Sequence, residues 1–282
     1  MSSTRPRTMR SEARTVWMVW QRELLVFRRN PGRLLVTLVQ PLAILLILGT
    51  GLSVAAQAIG GLDYRTFVFP GVVAMAVIMP AFFAAGSVVV DREFGFLRVM
   101  LAAPARRSSI VLGKCLGGAT VATLHGAVVV AAAGLVDVPY SLRMVVGLLA
   151  VAALLGFVLV AVGLVIAARA PQFQTYMSRI NLVALPMLLA SGALFPLSGL
   201  PTWLAVLTRI NPVAYAVDPM RRIVFPSLAF DEPIAQQVWL VPPDLRVTWG
   251  EWVVPAWLEL VLLAALGIVA FGIATVRLSR QR

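Results

Sequence analysis

The sequence predicts an all-α polytopic membrane protein with six transmembrane helices. Of its 282 residues, 60% are hydrophobic and 13% are charged, and the mean hydropathy is +0.90; a soluble domain usually carries about 25% charged residues. Spanning the hydrocarbon core takes roughly 20 mostly apolar residues in a helix. Six stretches of at least this length carry no charge, apart from Glu259 in the last: 34–62, 66–90, 115–136, 144–168, 180–208 and 252–276. The ten-residue alternation of a β-barrel is absent, which leaves helices as the spanning structure.

Residues 1–33 are predicted to form a cytoplasmic tail and an interfacial helix over 12–29. Four apolar residues share one helical face, at spacings of three, four and three: Trp17, Trp20, Leu24 and Phe27. Arginines occupy most of the other faces, and this distribution is typical of a helix lying flat in the membrane interface. Asn30-Pro31-Gly32 then breaks the helix, and the transmembrane domain, 34–276, follows. The alternative is that the same residues extend the first span.

A charged block separates the second and third uncharged stretches. Four charged residues open it: Asp91, Arg92, Glu93 and Arg98. Because a charge at the bilayer centre costs roughly 2.5–3.5 kcal/mol, we expect these residues at the cytoplasmic end of span two. An apolar stripe of Phe94, Leu97 and Leu101 predicts a short amphipathic helix over about 91–103, which Pro104 ends. Such a helix suits the docking of a cytoplasmic partner; the alternative is an ordinary charged loop.

Residues 199–251 contain too many prolines for a spanning helix, yet they retain short apolar pieces such as TWLAVL and VAYAV. Irregular backbone at membrane depth is tolerated only where protein covers it or where it lines a cavity. We therefore expect two short re-entrant helices that dip into the outer leaflet, followed by an external loop. A solvated loop is the alternative. Span six then leads to a cytoplasmic tail at 277–282.

The distribution of charge indicates the topology. If six spans place both termini in the cytoplasm, the cytoplasmic segments hold 18 Lys and Arg against 4 Asp and Glu, and the outer segments hold 6 against 8. This asymmetry satisfies the positive-inside rule. The net charge of +12 is therefore expected to serve topology and attraction to anionic lipid, and we expect the bilayer, not nucleic acid, as a partner.

The chain lacks the residues of a self-contained enzyme. Its only lysine lies in VLGKC, which lacks the Gly-x4-Gly-Lys-Ser/Thr spacing of a nucleotide-binding loop. No catalytic Ser/His/Asp set and no metal-ligand cluster occurs, and the single cysteine, Cys115, excludes an intrachain disulfide. The only histidine, His125, is expected to be a buried, hydrogen-bonded core residue; a proton relay is the alternative. We expect no catalytic residue, no metal and no cofactor in this chain.

Two sets of residues could line a translocation path. Transport driven by an ion gradient uses ionisable groups near the membrane midplane, and Glu259 is the one candidate, about 10 Å inside the outer boundary if span six starts at Trp252. A structural carboxylate is the alternative. Four large apolar residues of span two could form an adaptable wall: Met75, Met79, Phe82 and Phe83. Ordinary packing is the alternative use of these four.

Three segments resemble the permease subunit of ABC type-2 exporters, the class that includes daunorubicin-type drug permeases and polysaccharide-export permeases. Residues 70–114, with DREFGFLR, AP and the closing LGK, resemble the span-two and coupling-loop signature. Residues 194–222, LFPLSGLPTWLAVLTRINPVAYAVDPMR, resemble the span-five and re-entrant signature. The helix at 12–29 resembles the N-terminal elbow helix of the family.

The resemblance implies a bacterial plasma-membrane protein with six spans, which assembles with a second permease copy or paralogue. It also implies a separate cytoplasmic ATP-binding-cassette ATPase, which binds the ATP and magnesium. By motif position, the residues that couple to the ATPase would be Asp91, Arg92, Glu93, Gly95, Phe96 and Arg98. Those that shape an outer gate would be Asn211, Pro212, Asp218 and Arg222.

These features favour a permease subunit that moves a hydrophobic or amphiphilic drug or lipid outward. A polysaccharide or glycolipid exporter permease is the alternative within the same class. A membrane scaffold that recruits an ATPase without transport is the alternative from another class, and it predicts no hydrolysis stimulated by a substrate.

Overall fold

The computed structural model describes residues 9–56, 64–96, 106–136, 138–195, 201–225, 247–249 and 252–279, and most of them are helical. Five helical segments in this part of the chain are long and apolar enough to cross a membrane. They are Pro31–Ser53, Tyr64–Glu93, Arg107–Ala131, Leu142–Ala167 and Ala256–Ser279. The prediction of an all-helical polytopic membrane protein is therefore confirmed.

The described residues form ten α-helices, which are numbered in chain order. They are α1 (Met9–Arg28), α2 (Pro31–Ala43), α3 (Gly49–Ala56), α4 (Tyr64–Glu93), α5 (Arg107–Ala131), α6 (Leu142–Ala167), α7 (Phe173–Leu189), α8 (Thr202–Ile210), α9 (Ala214–Val224) and α10 (Ala256–Ser279). A π-helical segment, Ile44–Leu48, joins α2 to α3 shortly after Pro41, which has no N–H for the helix ladder. A two-stranded hairpin, β1 (Thr248–Trp249) and β2 (Trp252–Val253), precedes α10.

The fifth span differs from the prediction. The uncharged stretch 180–208 is not one helix, because α7 begins at Phe173 and ends at Leu189. Its 17 residues rise about 25 Å, less than the roughly 30 Å of a hydrocarbon core. The chain then turns at Gly192, whose φ of 70° suits glycine, and α8 and α9 follow as two separate short helices. Absence of charge marks an apolar segment but carries no information about where a helix within it ends.

Helix α1 packs alongside α5, and its predicted place in the membrane interface stays a prediction. The two helices run in the same direction, because residues later in α1 contact residues later in α5. The contact pairs are Glu12–Ser109, Val19–Gly113, Glu23–Gly117 and Phe27–His125. Gly113 and Gly117 let the backbones approach, because a Cβ at either position would lie 2.7 Å from a side chain of α1. The buried stripe of α1 holds Val19 and Glu23, whereas Trp17 of the predicted apolar face is 54% exposed.

Helix α4 lies at the centre of the bundle and is buried along most of its length. Near its start, Gly71 packs directly against the turn that follows α7, where a Cβ would lie 2.7 Å from the Cα of Ala193. A contact this short against backbone leaves no room for a methyl group. The close crossing fixes where the chain after α7 meets α4.

Replacing Gly71 by alanine is expected to lower the free energy of unfolding by about 1–3 kcal/mol, since overpacking against backbone forces the two segments apart. Thermal unfolding of the purified protein in detergent measures the change. Gly272→Ala in α10 is the matched control, because no heavy atom of the described residues lies within 4 Å of its added Cβ. Equal melting temperatures for the two variants would contradict the close crossing.

Candidate functional site

Four charged side chains meet where α1, α4 and α5 adjoin, and we call this group the four-charge cluster: Arg22, Glu23, Asp91 and Lys114. The Lys114 amino group donates to Glu23 Oε1 at 2.9 Å, to Asp91 Oδ2 at 2.9 Å and to Ser87 Oγ at 2.8 Å. The Arg22 guanidinium donates to both carboxylate oxygens of Asp91. The two cations and the two carboxylates balance in charge. This balance allows Lys114 to be only 2% exposed.

The hydrogen bond to Asp91 raises the pKa of Arg22, which means that Asp91 stabilises the charged guanidinium. The cluster therefore holds three helices together through charge-assisted bonds in a poorly hydrated place. We call the end of the bundle where it lies the basic end. The structure thus places one of the predicted coupling residues, Asp91, inside the protein and not on a free surface.

The two residues after Asp91 fasten the connection between α6 and α7. Arg92 donates to the carbonyls of Ala168 and Ala170, and Glu93 Oε1 accepts from the backbone N–H of Phe173 at 2.8 Å. Phe173 is the first residue of α7, so the Glu93 carboxylate satisfies an N–H that has no partner within the helix.

The predicted coupling helix does not begin at residue 91, because Asp91, Arg92 and Glu93 form the last turn of α4. The helix ends at Glu93, and Gly95, with a φ of 74°, turns the chain. The sequence analysis placed these charges at the cytoplasmic end of span two, as the start of a separate short helix, because charge is costly in lipid. They continue the helix because partners on α1, α5 and the α6–α7 connection neutralise them. Arg98 and the remainder of the predicted helix lie outside the described residues.

Two exposed aromatic side chains flank the turn at Gly95, and we call Phe94–Phe96 the aromatic turn. Phe94 is 82% exposed and Phe96 is 53% exposed. The Arg22 guanidinium lies 5.4 Å from the centre of the Phe96 ring, which links the turn to the four-charge cluster. Exposed aromatic residues on a rigid support are the usual anchors of a protein interface.

At the opposite end of the bundle, three charged residues meet in what we call the Asp218 cluster: Asp218, Arg222 and Glu259. Arg222 donates to Asp218 through Nε at 3.0 Å and through Nη2 at 2.9 Å, and it lies 3.5 Å from Glu259 Oε1. Asp218 also accepts from the backbone N–H of Val247 at 3.0 Å, and Arg222 donates to the carbonyl of Val254 at 2.7 Å. The cluster joins α9, α10 and the β-hairpin region.

Two further polar residues connect the same region to α7. The fully buried Arg221 donates to the carbonyl of Gly192, and its guanidinium lies 4.4 Å from the centre of the Phe67 ring in α4. Asn211 donates to the carbonyl of Met187 at 2.5 Å and accepts from the N–H of Val213 at 3.0 Å, with Pro212 between them in the α8–α9 turn. The four residues predicted to shape an outer gate therefore lie together, and the gate itself stays a prediction.

The residues predicted to line a path lie in different surroundings. Met75 and Phe82 are buried in the bundle, and Met79 and Phe83 are partly buried. The carbonyl of Phe82 accepts from the Tyr176 hydroxyl at 2.7 Å, which joins α4 to α7. Glu259 is fully buried within the Asp218 cluster. These positions suit packing within one chain, and a role in transport stays a prediction.

Sequence reasoning missed the partners of several charges. Lys114 was not connected with Glu23 or Asp91, and Arg222 was not connected with Glu259, 37 positions later in the chain. The Gly113-xxx-Gly117 spacing is a signal for close helix packing, and it could have placed α1 against α5. Among the described residues, no group of three or more His, Cys, Asp and Glu side chains is arranged to hold a metal.

Comparison with known proteins gives concordant results. The family description "ABC-2 type transporter" matches residues 14–225. Nodulation protein J of Rhizobium leguminosarum bv. trifolii is 32% identical over 209 residues, which cover 73% of this chain and 79% of that protein. Nodulation protein J of Neorhizobium galegae is 30% identical, over 72% of this chain and 78% of that protein. The probable multidrug ABC transporter permease YbhR of Escherichia coli is 28% identical, over 75% of this chain and 52% of that protein.

Proposed function

The chain belongs to the ABC-2 type transporter family, and we propose that it is the membrane-spanning permease subunit of an ATP-driven exporter. A cytoplasmic ATP-binding-cassette ATPase, as a separate subunit, supplies ATP hydrolysis and holds the ATP and magnesium. A second permease copy or a paralogue completes the assembly. The protein resides in a bacterial plasma membrane with both termini in the cytoplasm, in agreement with the excess of Lys and Arg in the segments assigned to that side.

The observation that carries this proposal is the aromatic turn beside the four-charge cluster. An ATPase that grips Phe94 and Phe96 pulls on the end of α4, because Gly95 comes only two residues after that end. Asp91, Arg92 and Glu93 fix the end of α4 to its neighbours. Force on the turn is thereby passed to α1, α5 and α7 together. Transport follows if the ATPase binds two arrangements of these helices with different affinity.

The cargo in this proposal is a hydrophobic or amphiphilic drug or lipid. Support comes from the similarity to a probable multidrug permease and from the large apolar side chains of Met79 and Phe83, which are only partly buried on α4. A polysaccharide cargo is the outcome that would replace this assignment.

Replacing Phe94 by alanine is expected to weaken binding of the ATPase about tenfold or more, since an aromatic anchor at an interface contributes about 1.4 kcal/mol or more. Binding is measured in nanodiscs with the ATP-binding-cassette ATPase encoded nearest in the genome. Leu142→Ala is the matched control, because Leu142 is 81% exposed and lies at the opposite end of the bundle. Phe94 is preferred to Glu93 for this test, since Glu93 also holds α7.

The same preparation tests the cargo. ATP turnover is measured with amphiphilic drugs, lipids and a polysaccharide added in turn. Hydrolysis that requires both subunits and rises with an amphiphile supports the exporter. Stimulation by polysaccharide alone would reassign the cargo, and an ATPase that binds but responds to no compound would favour a scaffold. Equal binding of wild type and Phe94→Ala would overturn the assignment of the aromatic turn.

A further inference from the structure

A small cavity lies near the corner between α1 and α2, bounded on the inside by α4 and α5. Its volume is about 50 Å³. This is several times the roughly 10–15 Å³ of cavity that one water molecule occupies. Phe27, Phe83 and Val121 supply apolar walls, while Glu23 and His125 supply polar groups. The cavity shares Glu23 with the four-charge cluster and Phe83 with the candidate apolar wall, but no ligand has been assigned to it above.

One polar atom in the cavity has no partner within the described part of the chain, namely Nε2 of His125. The imidazole is 2% exposed, and its Nδ1 lies 2.8 Å from the carbonyl of Val121. A carbonyl only accepts, so Nδ1 carries a proton and donates it. At neutral pH an imidazole is mostly uncharged, which leaves Nε2 as a buried acceptor. A ligand of the cavity is therefore expected to supply a hydrogen-bond donor to this atom.

The mouth of the cavity carries a cation at a fixed place. The Arg33 guanidinium lies 4.2 Å from the centre of the Phe83 ring, and both residues line the cavity. Glu23 also lines the cavity, but its carboxylate bonds to Lys114 in the four-charge cluster. A ligand that matches the cavity therefore has an anionic group for Arg33 and an N–H donor for Nε2 of His125.

The surface around the mouth indicates where the ligand comes from. Arg28 and Arg29, at the end of α1, are exposed next to the cavity. On the other side, the apolar face of α2 is exposed at Leu35, Val36 and Val39. A row of arginines beside exposed apolar side chains is the pattern expected at the boundary between lipid headgroups and hydrocarbon. The cavity thus opens where a phospholipid headgroup would lie.

We propose that this cavity binds the headgroup of phosphatidylethanolamine from the surrounding bilayer. The phosphate lies on Arg33 at the mouth, and the primary ammonium enters and donates to Nε2 of His125. The volume admits an ammonium and its methylene. Phosphatidylcholine offers no N–H donor and three methyl groups, and phosphatidylglycerol brings no cation. The site is a lipid-binding site of the permease, and it shares Phe83 with the candidate cargo wall.

The first experiment uses the unaltered protein. It is equilibrated in mixed micelles with equimolar lipids of identical acyl chains, and the lipids retained are counted by native mass spectrometry. The lipids are phosphatidylethanolamine, its N-methyl and N,N-dimethyl forms, phosphatidylcholine and phosphatidylglycerol. Retention is expected to fall with each added methyl group, with at least fivefold more phosphatidylethanolamine than phosphatidylcholine. Equal retention along the series, or a preference for phosphatidylglycerol, would overturn the proposal.

Variants then locate the site. Arg33→Gln is expected to reduce retention of every phospholipid in the series at least fivefold, whereas His125→Leu is expected to remove only the preference for the primary amine. Arg29→Gln is the matched control, because Arg29 is an exposed neighbour that does not line the cavity. A loss in Arg29→Gln equal to that in Arg33→Gln would show general attraction of lipid to basic residues and no site. Excess soluble phosphoethanolamine is expected to displace no lipid; displacement would assign the cavity to a soluble ligand.

Discussion

Replacement of Lys114 by methionine is expected to lower the free energy of unfolding by about 3–5 kcal/mol, because removal of one member of a buried ion pair leaves its partners uncompensated. Lys114 donates to Glu23 and to Asp91 at 2.9 Å each, and all three side chains are buried. Without the amino group, two carboxylates remain in a poorly hydrated place with Arg22 alone. Methionine retains most of the side-chain volume, so the effect reports charge and hydrogen bonding, not a cavity.

A variant in which the remaining charges balance distinguishes the effect of lost ion pairing from the effect of burial. Glu23→Gln combined with Lys114→Met leaves Arg22 and Asp91 as a balanced pair, and we expect it to recover more than half of the lost stability. Thermal unfolding in detergent and the monodisperse yield from membranes measure both variants. If the double variant is as unstable as Lys114→Met, the Lys114 bond to Ser87 and local packing account for the loss, and the pairing argument fails.

The four-charge cluster also shows what the sequence could not reveal. Composition and uncharged stretches predict a helical membrane protein, and they place charges at the ends of spans because lipid excludes charge. That reasoning treats each charge by itself. Asp91 and Lys114 are 23 positions apart, and Glu23 comes from a helix whose polar residues were expected to face outward. Only the packing of the helices brings these side chains together. For this reason the uncharged stretch 66–90, which was used to predict span two, ends before α4 does.

Contacts between residues distant in the sequence also explain why the fifth span and the region that follows it were only partly predicted. The prolines of 199–251 indicated short helices, and α8 and α9 are present there; their depth in a membrane stays a prediction. The end of α7 was missed, since Ser191 and Gly192 turn the chain within an uncharged stretch. The role of Asn211 was assigned by resemblance alone. Its hydrogen bond to the carbonyl of Met187 gives that resemblance a structural reason, because it ties α7 to the turn before α9.

Replacement of Arg222 by methionine is expected to lower the free energy of unfolding by about 3–5 kcal/mol, for the same physical reason at the opposite end of the bundle. Arg222 makes two hydrogen bonds to Asp218 and lies 3.5 Å from Glu259. Both carboxylates are buried, at 1% and 0% exposure. The variant therefore removes a cation that faces two buried anions and the carbonyl of Val254. Arg209→Met is the matched control, since Arg209 lies on the exposed surface of α8.

Neutralising the carboxylates tests the explanation and decides the part that Glu259 plays. Arg222→Met combined with Asp218→Asn and Glu259→Gln keeps the shapes and removes every charge of the Asp218 cluster, so more than half of the stability should return.

In the single variant Glu259→Gln, we expect a lower melting temperature and an unchanged rate of ATP-driven transport per folded molecule, because the carboxylate serves to pair with Arg222. Loss of transport at an unchanged melting temperature would instead make Glu259 an ion-coupling group, and the Asp218 cluster would then be part of the translocation path.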